Sequence, residues 1–291
     1  MSEILVVDSS WLLFRSRYLL DLETNKTDIE NGILFGFFWS LKAFAAERKT
    51  TKFIFCFDSG GNKRKEIFPA YKQNRREKEK TKEEIRMDEI SYDLFHKVPG
   101  FLEELGFANI YSEWGYESDD LIASILLNNS EYKNKFVILS NDGDLYQLLP
   151  YCKGMINAKG FINAEEFKVQ HGIRAKDWPL VKAWAGCKTD NVPGIKGFGE
   201  ATAIKFIKNP PQKGVLAQRF YSEEGKKIIE RNKVLTTLPF HDTPKIRIKT
   251  KDRLDFDNFL HFTTMYNIEG LYAGNKSYLF WEAFFENGGF R

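Results

Sequence analysis

Three carboxylates fall within four positions at Glu117-Ser118-Asp119-Asp120, directly before an apolar run from 121 to 127. Ser118 or Asp119 could cap a helix there, because a side-chain oxygen accepts from the free amides of a first helical turn. Acids also suit the positive end of a helix dipole. Taken alone, the stretch reads as a well-capped helix. Other acids shift the balance. Asp8 closes the apolar run 4–7, Asp58 closes 52–57, Asp142 and Asp144 follow 136–139, and Asp190 precedes a glycine-rich turn. So many carboxylates at one edge would repel, by about 4 kcal/mol for a pair ~4 Å apart at a moderate effective dielectric. Divalent cations would make the cluster tolerable. Oxygen donors without clustered His or Cys favour hard ions, Mg²⁺ or Mn²⁺ over Zn²⁺. Several acids spread over one site suit two ions ~4 Å apart, an arrangement used for in-line attack on phosphodiesters. His96, His171, His241 and His261 are scattered, so no Ser-His-Asp or Cys-His constellation competes.

The elements that must position these acids follow from periodicity. The all-apolar runs 4–7, 52–57 and 136–139 read as buried, parallel strands, with a further short strand at 108–111. Helical patterns at 9–15, 33–48, 91–105 and 118–127 alternate with them. The expectation is an α/β fold with a mainly parallel central sheet flanked by helices. Ligands in such sheets bind beyond the carboxyl ends of the strands, the edge where Asp8, Asp58, Asp142 and Asp144 fall. From 164 onward the pattern turns helical, at 165–171, 178–186, 200–207 and 223–238. Residues 245–248 read as extended, and the aromatic-rich tail 256–290 is expected to fill core.

Two segments could hold nucleic acid. Residues 63–86 carry ten basic residues against five acidic ones. A solvated helix laced with ion pairs and a mobile arm holding phosphates both fit that composition. Gly194-Ile195-Lys196-Gly197-Phe198-Gly199 lies between two helical patterns, behind Asp190-Asn191-Val192-Pro193. Glycines let backbone approach a phosphate and the next helix offers free amides, so the segment looks like a helix–hairpin–helix clamp for duplex.

Composition sets limits without deciding a partner. The 291 residues are 43% hydrophobic and 29% charged, with a formal net charge of only +3. Cys56, Cys152 and Cys187 are an odd set without paired spacing, which predicts reduced thiols and a cytoplasmic setting. The amino terminus does not read as a signal peptide, and no apolar run approaches the ~20 residues that span a bilayer.

With these motifs in order, the chain resembles the 5′-nucleases: flap endonucleases, phage 5′–3′ exonucleases and the amino-terminal nuclease domain of bacterial DNA polymerase I. The resemblance rests on Val7-Asp8-Ser9-Ser10 with Arg15, on Phe57-Asp58 through Arg64 with Tyr71-Lys72-Gln73-Asn74-Arg75, on 115–121, on 140–149, and on 190–199. It implies a PIN-like nuclease domain over 1–173 with a helical arch at about 63–90, a helix–three-turn–helix DNA-binding module over 174–239, and a segment 240–291 packing back on the body. It implies that Asp8, Asp58, Glu117, Asp119 and Asp120 form one Mg²⁺ (or Mn²⁺) site. Asp142, Asp144 and Asp190 would complete a second, with K⁺ at the hairpin a further option. By the same resemblance Lys72 contacts the scissile phosphate, Tyr71 stacks on a terminal base, and Arg15 and Arg75 hold phosphates. Gly194, Lys196, Gly197, Gly199 and Lys205 would hold duplex.

The activity so implied is structure-specific hydrolysis of DNA near single-strand/duplex junctions, with RNA–DNA hybrid as an additional substrate. Nothing demands more than a monomer. Two departures stand out. Cys187 occupies a position where the family usually has Asp, and Ala201 one where many members have Lys. Cys187 keeps open a second reading, a junction-binding protein with weak or lost catalysis. A ribonuclease of the toxin-like relatives is a third, which the arch and hairpin do not favour.

Overall fold

The computed structural model describes residues 2–17, 29–75 and 81–291, with the side chain of Arg75 outside that description. The strands are β1 (Ile4–Asp8), β2 (Phe53–Phe57), β3 (Ile110–Ser112), β4 (Phe136–Leu139), β5 (Gly154–Asn157) and β6 (Gly160–Ile162), with a small separate pair β7 (Gly186–Cys187) and β8 (Val192–Pro193). The helices are α1 (Ser9–Ser16), α2 (Ile29–Arg48), α3 (Arg64–Ile67), α4 (Lys82–Glu104), α5 (Ser118–Asn128), α6 (Ala164–His171), α7 (Trp178–Ala185), α8 (Glu200–Lys208), α9 (Val215–Tyr221), α10 (Glu223–Thr236), α11 (Phe256–Met265) and α12 (Asn275–Asn287).

The main sheet has the order β3-β2-β1-β4-β5-β6. Its pairs are parallel except for the antiparallel β5–β6. Strands buried on both faces need apolar residues at every position, and β1, β2 and β4 have them up to the final Asp8 of β1. Side chains alternate between two cores, as the two-residue period of a strand requires. Val6, Ile54 and Ile138 face a core shared with α5, α7 and α8. Val7, Phe55 and Leu139 face one built with α2, α4, α11 and α12. The aromatic tail does fill core: Phe259, Trp281, Phe284 and Phe285 are buried there.

The sequence order of the strands reverses at β1, whose neighbours are β2 on one side and β4 on the other. Asp8 pairs in register with Cys56, and Val7 with Leu139. The chain therefore leaves β1, β2 and β4 at nearly one level, with Asp8, Asp58 and Ser140 adjacent to the switch point where open α/β sheets bind ligands.

One local reading changes. Helix α4 is one element of 23 residues, opened by Thr81 in a capping box with Glu84. The basic segment and the expected helix at 91–105 are thus continuous from residue 82. Residues 245–248 join no sheet; Ile246 and Ile248 donate backbone N–H to Ser124 and Asn129 on and just after α5, at 3.1 Å each. The β5–β6 pair had no strand signal of its own. The expected arch residues 76–80 lie outside the described residues. Among those described, no helix is long and apolar enough to cross a membrane.

Candidate active site

Asp8 ends β1 and its carboxylate is fixed on three sides. It accepts from Trp11 N–H at 3.1 Å, Ser118 Oγ at 3.1 Å and Ser140 Oγ at 2.8 Å. Asp58 follows β2; its N–H donates to Ser10 Oγ and its carboxylate accepts from Ser118 N–H, both at 2.8 Å. Ser118 is thus the joint between two strand ends and the start of α5, where Asp119 follows it. Asp142 comes after β4, donating its N–H to Ser140 Oγ at 3.1 Å and accepting from Asp144 N–H at 2.8 Å. Asp8, Asp58, Glu117, Asp119 and Asp142 line one cleft of about 510 Å³, together with Lys72, Trp11, Phe14 and Phe95.

The cleft is electrostatically loaded. Burial, then Asp58, pushes the Asp8 carboxyl up to about 7. Burial and the neighbouring Asp142, Asp8 and Glu117 push Asp119 well above the usual carboxylate range. Among the described residues, no Lys or Arg forms an ion pair with Asp8, Asp58, Asp119 or Asp142. Glu117 differs. Burial would raise it, but Lys72 and then Arg64 outweigh that and hold it down at about 2. It pairs with Lys72 Nζ and accepts from Asn62 Nδ2 at 2.9 Å and Tyr71 OH at 3.1 Å. Lys72 has a left-handed backbone, φ 55°, and donates its N–H to Asp190 O at 2.8 Å. A non-glycine residue rarely adopts that conformation, so the segment's path against Asp190 is what points the ammonium at the cleft.

Beside the cleft lies a second group. Asp144, Cys187 and Asp190 each offer a donor atom within 4.8 Å of the others. Lys182 Nζ stands 3.1 Å from Asp144 Oδ1 and 3.1 Å from a Glu200 carboxylate oxygen. Cys187 Sγ is 3.5 Å from the Asp190 carboxylate. Burial and Asp142 raise Asp144 to about 6 against the opposing pull of Lys182. Burial, then Asp144 and Asp190, raises the Cys187 thiol to about 11.

The glycine-rich turn joins α7 to α8 through the β7–β8 pair. A Cβ on Gly194 would fall 2.2 Å from the Ala185 carbonyl carbon, so Gly194 is required for the crossing of the two chains. Lys196, Gly197, Gly199 and Lys205 are exposed, and Gly199 precedes the free amides of α8 as its cap.

Residues 3–172 match the family described as 5′-3′ exonuclease, N-terminal resolvase-like domain. The chain belongs to the 5′–3′ exonuclease family. It is similar to the DNA polymerase I of Bacillus caldotenax, 27% identical over 215 residues that cover 71% of this chain and 23% of the polymerase. It is also similar to a 5′-3′ exonuclease of Buchnera aphidicola subsp. Schizaphis graminum, 27% identical over 209 residues covering 70% of this chain and 69% of the relative. The chain therefore spans about a quarter of the polymerase it matches. Among solved structures, T5 5′-exonuclease with bound divalent zinc aligns with a TM-score of 0.67 at 21% identity, over 81% of this chain and 89% of that one. At that identity the likeness bears on fold, and it agrees with the mainly parallel sheet flanked by helices.

Set against the expected site of this exonuclease family, the structure brings some residues together and removes others. Asp8, Asp58, Glu117, Asp119 and Asp142 share the cleft with Lys72. Asp120 does not: it is fully buried, and both its oxygens accept from Arg64 at 2.7 Å while Phe240 N–H donates at 2.8 Å. Its lone pairs are used, so the reading as a metal ligand is corrected to a structural one. Tyr71 is 3% exposed with its hydroxyl on Glu117, which leaves no ring face for a base. Gly194 serves packing. Arg15 is exposed beside the cleft, its guanidinium 5.7 Å from the Trp11 ring centre. Arg75 keeps only its backbone position, in a 3-10 turn Gln73–Arg75.

Sequence reasoning gave no site role to Ser118, Ser140, Asn62, Arg64 or Lys182. Arg64 was hidden among the basic residues of the arch segment. Lys182 had a findable signal: it lies five residues before Cys187, on the buried helix that precedes the turn.

Proposed function

We propose that this chain is a Mg²⁺-dependent, structure-specific 5′-nuclease that hydrolyses DNA phosphodiesters near single-strand/duplex junctions, RNA–DNA hybrid included. The observation that carries this reading is the convergence of Asp8, Asp58, Asp119 and Asp142 on one cleft whose one lining lysine, among the described residues, is Lys72, paired with Glu117. Repulsion of that kind is relieved by hard divalent ions, and the donors are all oxygen, so these residues fit such an ion. When bound, the ion supplies positive charge for the attacking water and for the phosphate oxygens.

The rest falls to the chain's own side chains. The serines 118 and 140 hold Asp8 in one orientation. Glu117, itself held by Asn62 and Tyr71, pairs with Lys72 and holds its side chain at the cleft. From there the ammonium would donate to a non-bridging oxygen of the scissile phosphate and offset charge as it builds. Lys196, Lys205 and the backbone at Gly197 and Gly199 would hold duplex phosphates. Arg15 and Arg75 would guide the single strand. Asp144 and Asp190, expected to complete a second ion site, fit less well, because a thiol and an ammonium lie among them.

Cys187 also motivates a reading as a junction binder with little catalysis. Sizing the products from 5′-labelled flap, nicked and blunt duplexes, with Mg²⁺ and with EDTA, decides between them. Short 5′ products that need Mg²⁺ support the nuclease. Tight flap binding without products supports the binder.

A further inference from the structure

We infer that Lys182 stands in for a second divalent ion, so that this chain holds one tightly bound ion where its sequence suggested two. The inference rests on the proposed reading of the cleft as an ion site.

The two carboxylate groups differ in what already neutralises them. In the cleft, Asp8, Asp58 and Asp142 accept from hydroxyl or amide donors, and among the described residues neither they nor Asp119 have an ion-paired Lys or Arg. In the neighbouring group, Lys182 Nζ reaches Asp144 at 3.1 Å, from a side chain only 13% exposed. Asp190 accepts from Cys187 Sγ at 3.5 Å, with Tyr71 OH 3.4 Å and Lys72 Nζ 3.9 Å away. Lys182 thus answers the charge on Asp144, and Cys187 and Asp190 each have partners within the protein.

Two physical reasons exclude tight Mg²⁺ there. Magnesium takes oxygen ligands in a strict octahedron and binds a protonated thiol poorly. An ion on Asp144 would also lie within a carboxylate's width of a charged ammonium, in a partly buried place where screening is weak. The lysine has a second attachment that an ion would lack. It also contacts Glu200, the first residue of α8, at 3.1 Å. Lys182 thus ties Asp144 to the helix that follows the glycine turn, and sets the position of the turn relative to the cleft.

The test is the number of Mn²⁺ ions bound per full-length chain without DNA, counted by equilibrium dialysis and by the loss of free-ion EPR signal. One tight ion is expected, with any second at least ~10-fold weaker, the scale on which disturbed ligand shells reduce affinity. Asp144→Asn should leave that count at one, and Asp8→Asn should remove it. Lys182→Met combined with Cys187→Asp should raise the count to two. Two ions of equal affinity on the parental chain would overturn the inference, as would loss of a tight ion in Asp144→Asn. No bound ion on the parental chain would overturn the reading of the cleft itself. The parental count stands whether or not the double variant folds.

Discussion

Arg64 holds Asp120 with both arms of its guanidinium, at 2.7 Å each, and neither residue is more than 2% exposed. The Arg64 Nε donates to Leu235 O at 3.0 Å, so the pair ties α3 and α5 to α10. This is a buried, fully bonded ion pair between parts of the chain that frame the cleft from outside. Removing one partner leaves the other as an uncompensated buried charge. Asp120→Ala should therefore cost about 3–5 kcal/mol in urea unfolding. Folded Asp120→Ala should retain parental Mn²⁺ affinity, and a lost ion at unchanged stability would return Asp120 to the ligand set.

Tyr71 lends itself to a conservative test. Phenylalanine keeps the ring and removes the hydroxyl that touches Glu117 and Asp190. Tyr71→Phe should lose about 1 kcal/mol of stability and slow cleavage, because Glu117 and Lys72 lose a support. Flap affinity measured by anisotropy should stay at the parental value. Full activity in Tyr71→Phe with weakened binding in Tyr71→Ala would instead favour stacking on a base.

The glycine turn is expected to act through charge. Lys196 and Lys205 are exposed on either side of Gly199. Replacing each with Ala should weaken duplex binding and lower the slope of log K against log salt by about one per lost phosphate contact. Binding of an isolated single strand should change little. An unchanged salt slope in the double variant would place the duplex elsewhere.

The metal-free protein should respond to pH in an unusual direction. Asp8 titrates at about 7 when folded, against an ordinary value of 3.8, and Asp119 is displaced the same way. Between those values the folded state binds more protons than the unfolded one, so stability falls as pH rises through the window. Glu117 is displaced downward, to about 2, and its contribution is lost only as pH falls below its ordinary range. In EDTA the melting temperature should drop between about pH 5 and about pH 8. Excess Mg²⁺ should remove the drop by replacing the protons. A metal-free melting temperature that climbs across this window would contradict the repulsion within the cleft.

The legible part of the fold was the part written in uninterrupted apolar runs. Strands β1, β2 and β4 need apolar residues on both faces, and an acid directly after such a run can only lie at the sheet's edge. That made Asp8, Asp58 and Asp142 readable before any coordinates. Asp119 and Asp120 are neighbours with the same chemistry, and sequence alone gives no means to separate them. The helical rotation of about 100° per residue sends one to the cleft and the other to Arg64. Tyr71 and Lys72 divide in the same way, through a left-handed turn at Lys72 that a non-glycine residue does not advertise. The roles of Ser118, Ser140 and Lys182 come from long-range contacts, such as Ser140 with Asp8 across 132 positions.

Asp142 offers the most direct trial of the cleft. It lines the cleft, and among the described residues its carboxylate has no ion pair and accepts from Asp144 N–H, two positions away. Asn has nearly the same shape but lacks the charge. Cleavage of a 5′-labelled flap by Asp142→Asn, in Mg²⁺, is expected to fall by on the order of a hundredfold or more, while flap binding in EDTA stays near parental. Parental cleavage by this variant would contradict the carboxylate cleft as the catalytic site.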